Sequence, residues 1–310
     1  MTARFLVMSD THFDASGTDQ DYFWWNRMLF TMSDEIAESL VETVRDLAPD
    51  FIIHCGDFTT ASDLESFRFG KEVMDRMDCP YYITLGNHDT FRPGVREAIL
   101  PLFENSGRDF YYARDLGGLR FFFLDCAFWH SAEGQSSDCM PRDGGFIGIG
   151  PLREGLEWLE EELQDTDGKP AVFVTHPPLF WKPAYPIGSL PQGKPVPESP
   201  MPTGKFLDPF VHHGDLARIA ASSANVKAAF AGHWHIVDLV VQDGVVCCQA
   251  PSLIEFPLEM RLVELDGQRL SIRTVGLRDG SFRRASIVEE WKNEWVAGGP
   301  DDREWSGEIS

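Results

Sequence analysis

The chain opens with a short apolar run, Phe5-Leu6-Val7-Met8, that breaks at Ser9 and Asp10. The same break recurs downstream. "DFIIHCGD" ends in Gly56-Asp57, "YYITLGNHD" in Gly86 to Asp89, "AVFVTHPP" in His176 and two prolines, and "VKAAFAGHWH" in Gly232 to His235. Short apolar runs closed by turn formers read as buried strands, and the prolines after His176 stop that strand from continuing. Five strands thus deliver polar groups at their carboxyl ends, the edge where open α/β sheets bind ligands. Residues two apart in an extended chain face the same way. His233 and His235 are therefore expected to point together, with Trp234 on the opposite side.

Between strands the period changes. Ser33 is expected to cap a helix to about Leu47, with Ile36, Leu40, Val41, Val44 and Leu47 on one face. Asp63 is expected to cap another to about Met77. Pro151 suits the first turn of "PLREGLEWLEEELQ", where Leu152, Leu156, Leu159 and Leu163 form a stripe. Hairpins are expected in "YYARDLGGLRFFFLD", "DLVVQDGVVCCQA" and "MRLVELDGQRLSIRTV". This order predicts an α/β chain: two packed mixed β-sheets flanked by helices, a four-layer α/β/β/α sandwich.

A single domain is expected over residues 1–285, with no internal repeat, followed by an acidic stretch, 286–310, carrying Trp291, Trp295 and Trp305. That stretch reads as a docked flap, a subunit contact or disorder. Long loops are expected at 13–32, 127–150 and 181–209, all leaving ligand-bearing strand ends. Loops of such length in a compact domain are usually functional or disordered.

Composition changes the picture mainly through charge. The 310 residues are 43% hydrophobic and 25% charged, ordinary for a globular chain, but the formal net charge is −22. So acidic a surface disfavours nucleic-acid polymers and anionic membranes, and the densest basic spot is only Arg278, Arg283 and Arg284. The six cysteines show no metal-finger spacing, and Cys55, Cys126, Cys247 and Cys248 read as buried thiols in strands. No segment approaches bilayer-spanning length and no charged leader precedes the first strand, so a soluble cytoplasmic protein is expected, with self-association left open.

The strand ends together offer Asp10, His12, Asp57, Asn87, His176, His233 and His235: carboxylate, imidazole and amide oxygen, without thiolate. That mixture suits Mn, Fe, Zn or Co, divalent or mixed-valence. Seven groups exceed the needs of one ion. A carboxylate has two oxygens and can bridge, so the set divides into two sites sharing Asp57, with one histidine of "GHWH" for each. Two ions about 3.5–4 Å apart are a known device for phosphoester hydrolysis. His54 reads as a core residue, Asp89 as a group orienting a neighbour, and His130, His212 and His213 as residues of loops or a helix start.

The blocks "DTH", "GD", "GNHD", "H" and "GHWH" resemble the signature of the calcineurin-like metallophosphoesterases. The spacing is most similar to the class III cyclic-nucleotide phosphodiesterase branch and its glycerophosphodiesterase relatives. The resemblance covers about Phe5 to His235. It implies one metal held by Asp10, His12, Asp57 and His235, and a second by Asp57, Asn87, His176 and His233. It also implies that Asn87 and His88 contact the phosphate, His88 being a catalytic non-ligand that helps the leaving group depart. "GDFTTASD" and "GNHD" depart from the protein-phosphatase pattern. The expected function is a phosphodiesterase acting on a small organic phosphate. The alternatives are a phosphomonoesterase, a nucleotide pyrophosphohydrolase and, from another class, a non-catalytic scaffold. The aromatic residues Tyr22 to Trp25 and the stretch Trp181 to Pro209 are expected to cap the site, with Trp24, Trp181 and Tyr185 as candidate substrate contacts. Against this stands a satellite core or subunit contact.

Overall fold

The computed structural model of the chain describes residues 2–18, 20–103, 110–182 and 210–309. Two six-stranded sheets form its centre. The first runs in the order Glu304–Glu308, Arg269–Gly276, Glu259–Asp266, Thr2–Met8, Phe51–His54, Tyr81–Ile83. The last three of these are parallel to one another and the others pair antiparallel. The second runs Asp238–Gln242, Val245–Gln249, Val226–Ala231, Ala171–Val174, Leu119–Phe123, Tyr112–Leu116, with its four middle strands parallel and antiparallel hairpins at both edges.

Strand alternation explains the layering. Phe5, Val7, Phe51 and Ile53 point from the first sheet, and Phe121, Phe123, Val172, Val174, Ala228 and Phe230 from the second, into one core between the sheets. Their neighbours face outward. Leu6, Met8 and Ile52 pack under helices Ser33–Leu47 and Leu64–Asp75, while Phe122, Phe173 and Ala229 pack under helices Arg153–Glu162 and His213–Ser222. Cys247 and Cys248 split the same way, one to the helix side and one between the sheets. The observed architecture is the expected four-layer sandwich.

The helices begin almost where the pattern places them. The Asp63 carboxylate accepts from Ser66 N at 2.8 Å, a side-chain N-cap. Ser33 is not a cap: a 3-10 turn at Phe30–Met32 feeds straight into the helix, making Ser33 its first residue. Two expected loops contain short strands. Residues 22–28 form a hairpin, Tyr22–Phe23 against Arg27–Met28, and 127–150 holds a small three-stranded sheet of Phe128–His130, Ser136–Ser137 and Gly148–Gly150.

The stretch from 286 packs onto the body. Glu304–Glu308 is the edge strand beside Arg269–Gly276. Val296 enters a small aromatic cluster with Trp25, Trp234, Ile236 and Phe256, against which Trp181 and Trp295 also pack. Among the described residues, no helix is long and apolar enough to cross a membrane.

Candidate metal centre

Five loops meet at one end of the sandwich, three leaving the first sheet and two the second. They are stitched backbone to backbone: Asp10 N donates to Gly56 O, His12 N to Asp57 O and Gly232 N to His176 O, at 2.9–3.1 Å. His176 ties the two sheets together directly, its Nδ1 donating to Cys55 O at 2.8 Å. The fit is close enough that a Cβ on Gly86 would strike the Asp57 backbone and carboxylate, and one on Gly232 would strike Ser9 and Asp10.

The histidines of "GHWH" do converge, but not by strand alternation. Their strand ends at Ala231, and His233 and His235 take left-handed backbone at φ 75° and 57°. Asp10, His12 and Asp57 do the same at φ 52°, 46° and 50°. A non-glycine residue in this region is strained by about 1–3 kcal/mol, and such strain gathers at functional sites. Trp234, as expected, turns the other way into the aromatic cluster.

The side chains form two adjoining groups. In one, His12 Nε2 lies 3.2 Å from His235 Nε2, which lies 3.3 Å from Asp10 Oδ1. In the other, His176 Nε2 lies 3.3 Å from Asp57 Oδ2, 3.2 Å from Asn87 Oδ1 and 3.1 Å from His233 Nδ1. Asp57 Oδ2 is also 3.9 Å from His12 Nε2, so this one oxygen lies between the groups. Donors sharing one ion at about 2.0–2.2 Å stand about 3–3.5 Å apart, and the spacings within each group match, while the 3.9 Å from Asp57 to His12 is longer. Asp10 Oδ1 is buried without a hydrogen-bond partner, and two pairs of ring nitrogens face each other. A cation would satisfy all of these atoms. Asp10–His12–His235 and Asp57–His176–His233 each form a cluster able to hold an ion, and so does His12–Asp57–His88.

Burial pulls His176 and His235 down, but the carboxylates of Asp57 beside the first and Asp10 and Glu255 beside the second outweigh it, pushing them up to about 9 and about 10. Burial, reinforced by the neighbouring His176, takes His233 down to about 3. Burial and the nearby His88 ring take His12 well below the ordinary histidine value.

His88 is half-buried. Its backbone N–H donates to Asp57 Oδ1 at 2.7 Å and its Nδ1 to Thr60 O at 2.9 Å. The supporting shell is only partly legible in sequence. Asp89 accepts from the amides of Phe58, Thr59 and Gly86 at 2.8–3.0 Å, welding the "GD" loop to the "GNHD" loop. His54 Nδ1 accepts from Gly56 N, while its Nε2 bonds Thr11 Oγ1 at 3.0 Å. Sequence reading missed Glu255, whose Oε1 lies 2.6 Å from His235 Nδ1. Its one signal is an isolated acid in the apolar stretch "SLIEFP".

Two of the three candidate substrate contacts fall among the described residues. Trp24 is 40% exposed on the 22–28 hairpin, and Trp181 packs edge-on against Trp234 at 4.9 Å. Trp25 is buried, its Nε1 donating to Trp234 O at 2.7 Å, so that ring serves the satellite core. Tyr185, with the rest of 183–209, lies outside the described residues. His130 Nε2 donates to Gly150 O at 3.1 Å and its Nδ1 bonds Ser136 Oγ, and His212 pairs with Asp215.

The chain is similar in sequence to two curated proteins. A glycerophosphodiester phosphodiesterase GpdQ of Enterobacter lignolyticus (strain SCF1) is 28% identical over 180 residues, 56% of this chain and 56% of its own length. A probable glycerophosphodiester phosphodiesterase GpdQ of Arcobacter nitrofigilis is 29% identical over 133 residues, 42% of this chain and 43% of its own length. The chain thus spans about half the length of the curated relatives it matches. A dimetal phosphatase from Danio rerio shares the fold, with TM-score 0.67 at 14% identity over 99% of both chains. The sequence model of the calcineurin-like phosphoesterases matches residues 3–237, and the chain belongs to that family.

Proposed function

We propose that the chain is a dinuclear-metal phosphodiesterase acting on a small organic phosphate, such as a glycerophosphodiester or a cyclic nucleotide. The observation that carries this reading is Asp57 Oδ2, which lies between two sets of N and O donors spaced as ligands of one ion are. Asp10, His12, Asp57 and His235 would hold one ion, and Asp57, Asn87, His176 and His233 the other. The N/O donor set without thiolate fits Mn, Fe, Zn or Co. When bound, such ions supply positive charge that polarises a phosphoryl group and activates water. The diester preference rests on the two sequence relatives named as glycerophosphodiester phosphodiesterases.

The chain's own residues do the rest. In the reaction water adds to phosphorus, the ester P–O bond breaks, and the leaving oxygen takes up a proton. His88, held by its Nδ1 on Thr60 O and by its amide on Asp57, would give that proton from Nε2. Asn87, whose Oδ1 faces His176, would contact the phosphate through its amide N–H₂. His54, Thr11 and Asp89 keep the ligand loops from relaxing away from their strained backbone.

Metal analysis combined with a substrate panel tests the proposal. The purified chain should carry two ions, hydrolyse diesters faster than the matching monoesters, lose activity to a chelator and regain it on metal add-back. Asp57→Ala should empty both positions. Full activity in metal-free protein, or a preference for monoesters, overturns the reading.

A further inference from the structure

Glu255 is completely buried, and both of its oxygens are in use. Oε1 meets His235 Nδ1 at 2.6 Å, and Oε2 accepts from the Asn26 amide at 2.7 Å. The opposite nitrogen of the same ring, His235 Nε2, is the one that faces Asp10 and His12. An imidazole that gives its Nδ1 proton to a carboxylate must present its Nε2 lone pair on the far side, and it becomes a stronger donor to a cation.

We infer that Glu255 is a positioning residue, which fixes the tautomer and orientation of His235 and so governs affinity at one of the two metal positions. The inference rests on the metal-centre reading above. Glu255 also stands where three segments cross. Leu29 N donates to Ile254 O at 2.8 Å, and Asn293 Nδ2 to Trp25 O at 2.6 Å. Phe256 N donates to Ser286 Oγ at 2.7 Å, and that hydroxyl donates in turn to Arg27 O. Residues 25–29 therefore hold the carboxylate directly through the Asn26 amide, while 286–293 brace that segment and the Phe256 backbone beside it.

Only a carboxylate meets both demands. Glutamine has one acceptor oxygen, so its amide N–H₂ would confront either the His235 Nδ1 proton or the Asn26 N–H. A carboxylate serving only to tie the 25–29 loop to the core would leave the ring's tautomer to chance, which separates the two roles by experiment.

The test uses the full chain titrated with Zn²⁺ as a diamagnetic probe, in wild type, Glu255→Gln and Glu255→Asp. In wild type, histidine ¹⁵N NMR should show His235 protonated on Nδ1, with that proton shifted strongly downfield. In Glu255→Gln this signature should vanish, and one of the two ions should bind about 10–100-fold more weakly while the other is unchanged. Aspartate, which keeps the charge, should restore part of the lost affinity. A Glu255→Gln chain that melts like wild type and binds both ions as tightly, or weakens both alike, overturns the inference. Should that variant fail to fold, absence of a proton on wild-type His235 Nδ1 overturns it alone. A wild-type chain that binds no second ion overturns the metal-centre reading itself, and the inference with it.

Discussion

His88 lies close enough to His12 and Asp57 to be grouped with them around a cation, yet its amide and one ring nitrogen are already engaged. The proposed ligand His176 is bonded through Nδ1 in the same way, so this engagement does not by itself tell ligand from proton donor; the proposed function makes His88 the donor. His88→Ala should therefore keep both ions, by metal analysis, and slow hydrolysis by about 10²–10⁴-fold. The loss should shrink for nitrophenyl esters, whose leaving group needs little protonation. A variant that sheds an ion would make His88 a ligand. At this scale the inner groups were legible because each follows the end of an apolar run, which breaks at Ser9 in the first and at a glycine or proline in the other four. Glu255 was not, since twenty residues separate it from His235 and nothing in one sequence pairs them.

Elements were legible in proportion to their length. The helices over 33–47 and 64–75 carry several turns of amphipathic period, and both hairpins at the edges of the second sheet announce themselves by Gly117-Gly118 and Asp243-Gly244 at positive φ. Strands of two or three residues at 22–28 and 128–150 are too short to show any period. Glu304–Glu308 alternates exposed and half-buried residues with Trp305 as its only large apolar group, so it read as tail rather than sheet. The element that leaves least tolerance is the turn after Val226–Ala231. Gly232→Ala would drive a methyl group into Ser9 and Asp10. It should destabilise the chain by about 1–3 kcal/mol in urea unfolding, as overpacking does, and weaken metal retention. Unchanged stability would mean that the first-sheet loop gives way freely.

Over the whole molecule, the site depends on two sheets staying in register. Phe5 stacks on Phe51 at 4.8 Å and meets Phe121 and Phe230 edge-on at 5.5 and 5.9 Å, joining strands of both sheets in one cluster. Phe5→Ala should cost about 3–5 kcal/mol by denaturant unfolding of the metal-free chain, the range for a buried phenylalanine. A loss below about 1 kcal/mol would show that the sheets hold together without it. The left-handed backbone at Asp10, His12, Asp57, His233 and His235 has a different consequence. Glycine would relax each of these positions, so a descendant freed from its chemistry could discard them and become sturdier. On the proposed function, the need for these five side chains is what would keep strained residues there, and glycine at those positions in a relative would mark the loss of that need.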